Sequence, residues 1–183
     1  DNFDWPYLVN RANNIGCKDF CELGRYKGEY SKVKDAKKSI KALGKRDGKD
    51  YMVYAVVGDG EADEGQIWEA VMAAYRYHLD NLVIIIDNNG LQIDGTTDEI
   101  MPQLDFTKKF DAFGYDTYEI DGHNMEEIMA TFDKIHAAKD GRPKFINAHT
   151  VKGKGVSFME NKAEWHGKAP NKEQYEQAMK ELE

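Results

Sequence analysis

Residues 51–65 read YMVYAVVGDGEADEG, and this stretch decides the fold. Its first part, Tyr51–Val57, is a continuous apolar run, which is typical of a strand buried on both faces of a parallel sheet. A glycine-rich turn follows it. Turns of this kind between a strand and a helix usually bind phosphate through backbone N–H groups, yet this one carries four carboxylates. The acidic residues therefore need their own explanation.

Further apolar segments predict the rest of the sheet and its helices. The other predicted strands are Leu82–Ile86, Tyr115–Ile120 and Lys144–Val151, and the predicted helices are Gln66–Tyr77, Met125–Ala138 and Lys172–Leu182. Strands and helices alternate along the chain. We therefore expect an α/β fold with a parallel sheet flanked by helices.

Composition limits the classes of protein that remain. The chain has 183 residues, of which 41% are hydrophobic and 11% aromatic, enough for one well-packed domain spanning residues 1–183. A net charge of −8 argues against nucleic acid or an anionic membrane as a partner. No apolar run is long enough to span a membrane, and the acidic N-terminus does not resemble a signal peptide. We expect a soluble, cytoplasmic protein.

The first part of the chain, residues 1–46, differs from the rest. It contains a possible short helix at Tyr7–Asn14 and then a lysine-rich stretch to which no chemistry is assigned. Cys17 and Cys21 are the only cysteines, and they lack the second ligand pair of a structural zinc site. We interpret them as ordinary thiols.

A second polar loop, Asp87–Leu91 (DNNGL), follows the predicted strand Leu82–Ile86. Because adjacent parallel strands end at one edge of a sheet, Asp59 and Asn89 could face each other across a crevice there. Carboxylate, amide and carbonyl oxygens suit Mg²⁺ or Ca²⁺, and the cation could then bind a diphosphate. The alternative is a tight turn in which Asp59 only caps the next helix.

Five stretches resemble one family, in the family's order. They read GKDYMVYAVVGDGEADEGQIWEA, HLDNLVIIIDNNGLQIDG, AFGYDTYEIDGHN, HTVKGKGVSFMEN and EWHGKAP, all within residues 47–183. Together they resemble the diphosphate-binding half of transketolase, especially the separate N-terminal subunit of enzymes split into two chains. The resemblance implies the thiamin diphosphate-binding fold, with thiamin diphosphate and Mg²⁺ (or Ca²⁺) as cofactors.

The resemblance also implies roles for particular residues. Asp59, Asn89 and the carbonyl of Leu91 would hold the metal, and the Gly60 N–H would donate to the diphosphate. The remaining cofactor-binding residues implied are Gly58, Glu61, Lys152 and His166.

Three side chains are implied to act in catalysis. His166 matches a histidine that reaches both the diphosphate and the substrate, while Glu64 and Glu69 match a glutamate network that crosses to the partner active site. For both glutamates the alternative is an exposed helical face. Lys152, like Lys154, could equally be an exposed loop lysine.

Two other histidines, His123 and His149, lie at predicted strand ends. A lone histidine is more often a structural hydrogen-bonding group than a catalyst, and only His149 is a weak candidate.

Several family segments are absent from the sequence. A Gly-His-Pro segment, a Gly-His loop and a Gly-Gln-Gly segment are missing before residue 47, so the chain looks internally shortened. The pyrimidine-binding domain is absent too, so a pyrimidine-binding C-terminal subunit would have to complete the site.

The implied function is then transfer of a two-carbon ketol unit between sugar phosphates, as in the pentose phosphate pathway. Two alternatives stay open: another thiamin enzyme such as deoxyxylulose-phosphate synthase, and a catalytically inactive scaffold that binds metal and partner.

The predicted helix Gln66–Tyr77 is apolar over a wide arc, including Trp68 and Met72. Such a helix is buried on more than one side, either within its own chain or against another subunit. We therefore expect a homo-oligomer or hetero-oligomer, and if this helix faces the interface, Trp68 contributes to the contact.

Overall fold

The computed structural model describes residues 52–183, and a parallel sheet lies at the centre of this part of the chain. In chain order the strands and α-helices are β1 (Val53–Gly58), α1 (Gly65–Arg76), β2 (Leu82–Asn88), β3 (Leu91–Gln92), β4 (Gly95–Thr96), α2 (Thr97–Ile100), α3 (Phe106–Ala112), β5 (Asp116–Asp121), α4 (Met125–Ala137), β6 (Lys144–His149) and α5 (Lys172–Leu182). Short 3₁₀ helices span Glu61–Asp63 and Ala163–Trp165. The predictions for Tyr7–Asn14, Cys17 and Cys21 lie outside the described residues.

The four long strands are arranged in the order β1, β2, β6, β5, and every neighbouring pair is parallel. This arrangement confirms the predicted α/β fold. Their carboxyl ends share one edge, where Gly58 is in register with Asp87, and Asn88 with His149. The loops that carry the predicted site residues therefore leave the sheet side by side.

Helices cover both faces of the sheet. On one face α1 and α3 pack against the strands, and the Phe110 ring of α3 stacks on Phe145 of β6 with 3.7 Å between ring centroids. On the other face α4 contributes Ile135, which packs with Ile146 and Val83. Side chains alternate between the faces of a strand, which explains the continuous apolar run Leu82–Ile86 in the central strand β2.

Strand β1 departs from the expectation of burial on both faces. Val57 is buried with α1, but Tyr54 and Val56 are 43% and 63% exposed. They point to the face of α4, whose buried side chains pack mainly on the other three strands. The expected burial on both faces is wrong for β1 among residues 52–183, where β1 is one of the two edge strands of the sheet.

The wide apolar arc of α1 is explained largely within the chain. Trp68 packs its ring 5.6 Å from that of Phe110 and donates its Nε1–H to the Ala62 carbonyl at 2.9 Å. Trp68 is thus partly buried against the core of its own chain, and its place at a subunit contact stays a prediction. Met72 and Tyr75 on the same helix are 51% and 45% exposed.

Two features of the structure differ from the predicted pattern. A hairpin of β3 and β4, followed by the short helices α2 and α3, fills the connection from β2 to β5. Strand β6 ends at His149 rather than Val151, and the next residues form a loop that carries Lys152.

Among the helices of residues 52–183, none has the length and apolar character needed to cross a membrane.

Candidate functional site

The turn after β1 and the loop after β2 meet at the carboxyl edge of the sheet. Asp59 lies at their junction and is only 2% exposed. Its Oδ1 accepts a hydrogen bond from Gly60 N–H at 2.8 Å, and its Oδ2 accepts one from Gly90 N–H at 2.6 Å. Because Gly90 directly follows Asn89, one carboxylate holds both loops together. The loops that carry Asp59 and Asn89 therefore meet, as parallel pairing predicts.

The electrostatic setting of Asp59 favours a bound cation. Burial raises the pKa of Asp59, the nearby Asp87 raises it further, and the N–H donors of Gly90 and Gly60 oppose the rise. Within residues 52–183 the charged group acting on this carboxylate is another carboxylate. A divalent cation would offset both the burial and the repulsion.

The oxygen ligands available here are chemically mixed. Asn89 Oδ1 accepts the Leu91 N–H at 3.1 Å, which places the amide in the same loop as the Leu91 carbonyl. No group of three or more His, Cys, Asp or Glu side chains in the described chain could hold a metal. Asp59, Asn89 and Leu91 offer a carboxylate, an amide and a backbone carbonyl, which are hard oxygen donors of the kind that Mg²⁺ and Ca²⁺ accept.

The glycines of the first loop have N–H partners within the loop itself. Gly58 N–H donates to Glu61 Oε2 at 2.8 Å, so Glu61 closes the turn. The Gly60 N–H, predicted to donate to a diphosphate, donates to Asp59 instead. Gly60 must lack a side chain, since a Cβ there would lie 2.8 Å from the Cβ of Gln92.

Gln92 is a site residue that the sequence reasoning missed. Its side chain covers Gly60, and its Nε2 is buried without a hydrogen-bond acceptor in the described residues. No signal in the sequence marks it, because its position depends on the unpredicted hairpin of β3 and β4.

A cavity of about 510 Å³ opens beside this junction on the side of α4. Its polar lining includes Asp87, Asn89, His123, Thr150 and Lys152, and its apolar lining includes Val56, Ile85, Ile128 and Phe132. The structure thus brings Lys152 to the same cavity as Asn89. His149 pairs with Glu119 across 2.6 Å and is not among the residues that line it.

The three predicted catalytic residues are not gathered at this cavity. Glu64 precedes α1, and its carboxylate accepts from the Gln66 side-chain amide. Glu69 is exposed on α1, and its carboxylate makes no hydrogen bond or ion pair within residues 52–183. His166 is exposed after the 3₁₀ helix Ala163–Trp165 and does not line the cavity.

These features define a class of protein: a doubly wound α/β domain with an oxygen-rich crevice at the carboxyl edge of its parallel sheet. The chain belongs to the transketolase N-terminal family, because residues 30–182 match the model of the transketolase thiamine diphosphate binding domain.

Relatives of known function and solved structures agree with this membership. The chain is 49% identical over 138 residues to one of the subunits of apulose-4-phosphate transketolase from Phocaeicola vulgatus, covering 75% of this chain and 49% of the relative. It is 44% identical over 131 residues to 6-deoxy-6-sulfo-D-fructose transketolase subunit SqwG of Clostridium sp., covering 72% and 47%. The Campylobacter jejuni transketolase structure superposes with a TM-score of 0.68 at 30% identity, covering 79% of this chain and 22% of that one. The chain thus spans about half the length of the two subunits it matches.

Proposed function

We propose that this chain binds the diphosphate of thiamin diphosphate through a divalent metal, Mg²⁺ or Ca²⁺, as the N-terminal subunit of a two-subunit transketolase. One observation carries the proposal: the buried carboxylate of Asp59 joins the two loops, and the carboxylate of Asp87 repels its negative charge. A buried carboxylate in this position is well placed to bind a metal ion.

Each residue of the crevice then has a physical role. Asp59, Asn89 and the Leu91 carbonyl would hold the metal, which links the acidic loop to an anionic group. Lys152 would place a positive charge beside the same anion from across the cavity. The His166 side chain is exposed here, so it would reach the anion only after a movement of its loop or the binding of a partner subunit.

The reaction we propose is transfer of a two-carbon ketol unit between sugar phosphates. Thiamin diphosphate supplies an electron sink, while the protein supplies binding, orientation and exclusion of water.

A pyrimidine-binding C-terminal subunit would complete the site, with Glu64 and Glu69 facing the contact between active sites. The names of two relatives, each a transketolase subunit, support such a partner. Their named sugars differ, so the sugar used by this chain is a matter for assay. We place the protein in the cytoplasm.

The transketolase names of the relatives favour this reaction over that of deoxyxylulose-phosphate synthase. The inactive scaffold is the other candidate, because the family segments absent before residue 47 would normally approach the cofactor.

Calorimetry on the 183-residue chain tests the proposal. Thiamin diphosphate should bind with Mg²⁺ and fail to bind in EDTA. The matched variants Asp59→Ala and Asp94→Ala each remove one carboxylate, and Asp94 is an exposed residue of the neighbouring hairpin. Only Asp59→Ala should lose binding. Equal affinity with and without metal would overturn the metal assignment. Binding without ketol transfer, once a pyrimidine-binding subunit is present, would favour the scaffold.

A further inference from the structure

The turn between β5 and α4 touches the loop that carries Lys152. Gly122 N–H donates to the His149 carbonyl at 2.8 Å. A Cβ at Gly122 would lie 2.5 Å from Thr150 Cγ2 and 3.1 Å from the His149 carbonyl oxygen. A side chain cannot be accommodated at these distances, so the close approach of the two segments requires glycine at this position.

The next residue, His123, reaches further along the same loop. Its Nε2 accepts the Val151 N–H at 2.8 Å, so the neutral ring carries its proton on Nδ1. Its own backbone N–H donates to Asp121 Oδ1 at 2.8 Å. Val151 immediately precedes Lys152, and His123 and Lys152 line the same cavity.

Both ends of this contact are held by other elements. Asn124, directly after His123, caps α4 by accepting from Glu126 N–H at 3.1 Å. On the loop side, Thr150 N–H donates to the Asn88 carbonyl of β2 at 3.1 Å. The His123 bond therefore connects a capped helix to a loop whose preceding residue is anchored on the sheet.

We propose that His123 is a positioning residue that sets the direction of Lys152 through the Val151 N–H. The inference rests on the proposed function, in which Lys152 meets the diphosphate. Without the Nε2 acceptor, the loop after Thr150 loses this contact with the turn before α4, and the ammonium group samples more positions. The cost should fall on binding of the anion rather than on the fold, because the ring is exposed.

The variants are chosen to separate the acceptor from the ring. His123→Gln places an amide oxygen close to the position of Nε2 and should retain most of the parent's properties. His123→Asn keeps the polarity but is too short to reach Val151, and His123→Phe keeps the ring without an acceptor. His136→Phe, on the last turn of α4, is the matched control: it removes an exposed histidine and one hydrogen bond, to Tyr54, away from Val151.

Two measurements on the full chain test the proposal. In hydrogen exchange without cofactor, the Val151 amide should exchange about ten-fold faster in the Asn and Phe variants and near the parent rate in the Gln variant and the control. In calorimetry with Mg²⁺, the same two variants should bind thiamin diphosphate about ten-fold more weakly. In the background of Lys152→Ala they should cause no further loss, because His123 acts through Lys152.

Failure of the positioning role and failure of the proposed function give different results. Unchanged exchange at Val151 in His123→Asn, or binding losses that add to that of Lys152→Ala, would overturn the positioning role. Failure of the parent chain to bind thiamin diphosphate would overturn the proposed function instead. In that case the exchange of Val151 still decides whether His123 holds the loop.

Discussion

Replacement of Asp59 by alanine should affect the apo protein as well as metal binding, because the carboxylate accepts two backbone N–H groups. Hydrogen bonds to a charged group contribute about 1.5–3 kcal/mol each. Removing both leaves the partly buried N–H groups of Gly60 and Gly90 without acceptors. Part of the loss is offset because a desolvated charge beside Asp87 also disappears. We expect a net loss of roughly 2–4 kcal/mol in the free energy of unfolding.

Asp59→Asn divides this effect into its parts. Its one amide oxygen can still accept from Gly60 or Gly90, but the NH₂ group then faces the other N–H. We expect a smaller loss of about 1–3 kcal/mol, from one unsatisfied donor. Because the carboxylate is gone, metal-dependent binding should fail in both variants.

Urea unfolding in EDTA measures the structural part, and calorimetry with Mg²⁺ measures the metal part. Asp94→Ala, the exposed control, should unfold at the parent's midpoint. If Asp59→Ala unfolded at that midpoint too, the two hydrogen bonds would not hold the loops together. Normal affinity for thiamin diphosphate in Asp59→Asn would refute the role of the carboxylate as a metal ligand.

Other parts of the structure give further tests. Phe110→Ala removes the stacking on the sheet and should cost about 3–5 kcal/mol of unfolding free energy in urea; a cost below about 1 kcal/mol would contradict the core assignment. Burial and the acceptor Asp116 raise the pKa of Tyr118 to about 12, so its stabilisation is present below about pH 10 and is lost as pH rises toward 12. An absorbance titration of Asp116→Asn should find a lower midpoint. Light scattering should detect dimers or larger species that Met72→Asp weakens, whereas Trp68→Asp should mainly lower stability; a monomer at all micromolar concentrations would rule out self-association.

Much of the fold could be predicted from local patterns. The helix Lys172–Leu182 has the predicted limits, and the other predicted strands and helices within residues 52–183 differ by one or two residues at their ends. Apolar runs and helical periodicity report burial directly, which explains this success. The helix α3 (Phe106–Ala112) escaped prediction because it is short, and its buried residues Phe106 and Phe110 make only one helical repeat.

The sequence by itself determined which chemical groups reach the carboxyl edge of the sheet. A glycine-rich acidic turn and an Asn-Asn loop each follow an apolar strand, and parallel pairing must bring them to one edge. Tertiary structure decided what those groups contact: Asp59 accepts from Gly90, 31 residues away, and His123 accepts from Val151, 28 residues away. Such partners depend on strand register and loop direction, which arise only when the whole sheet packs. A periodic pattern reports how deeply a residue is buried, but it does not specify which distant N–H group a side chain will meet.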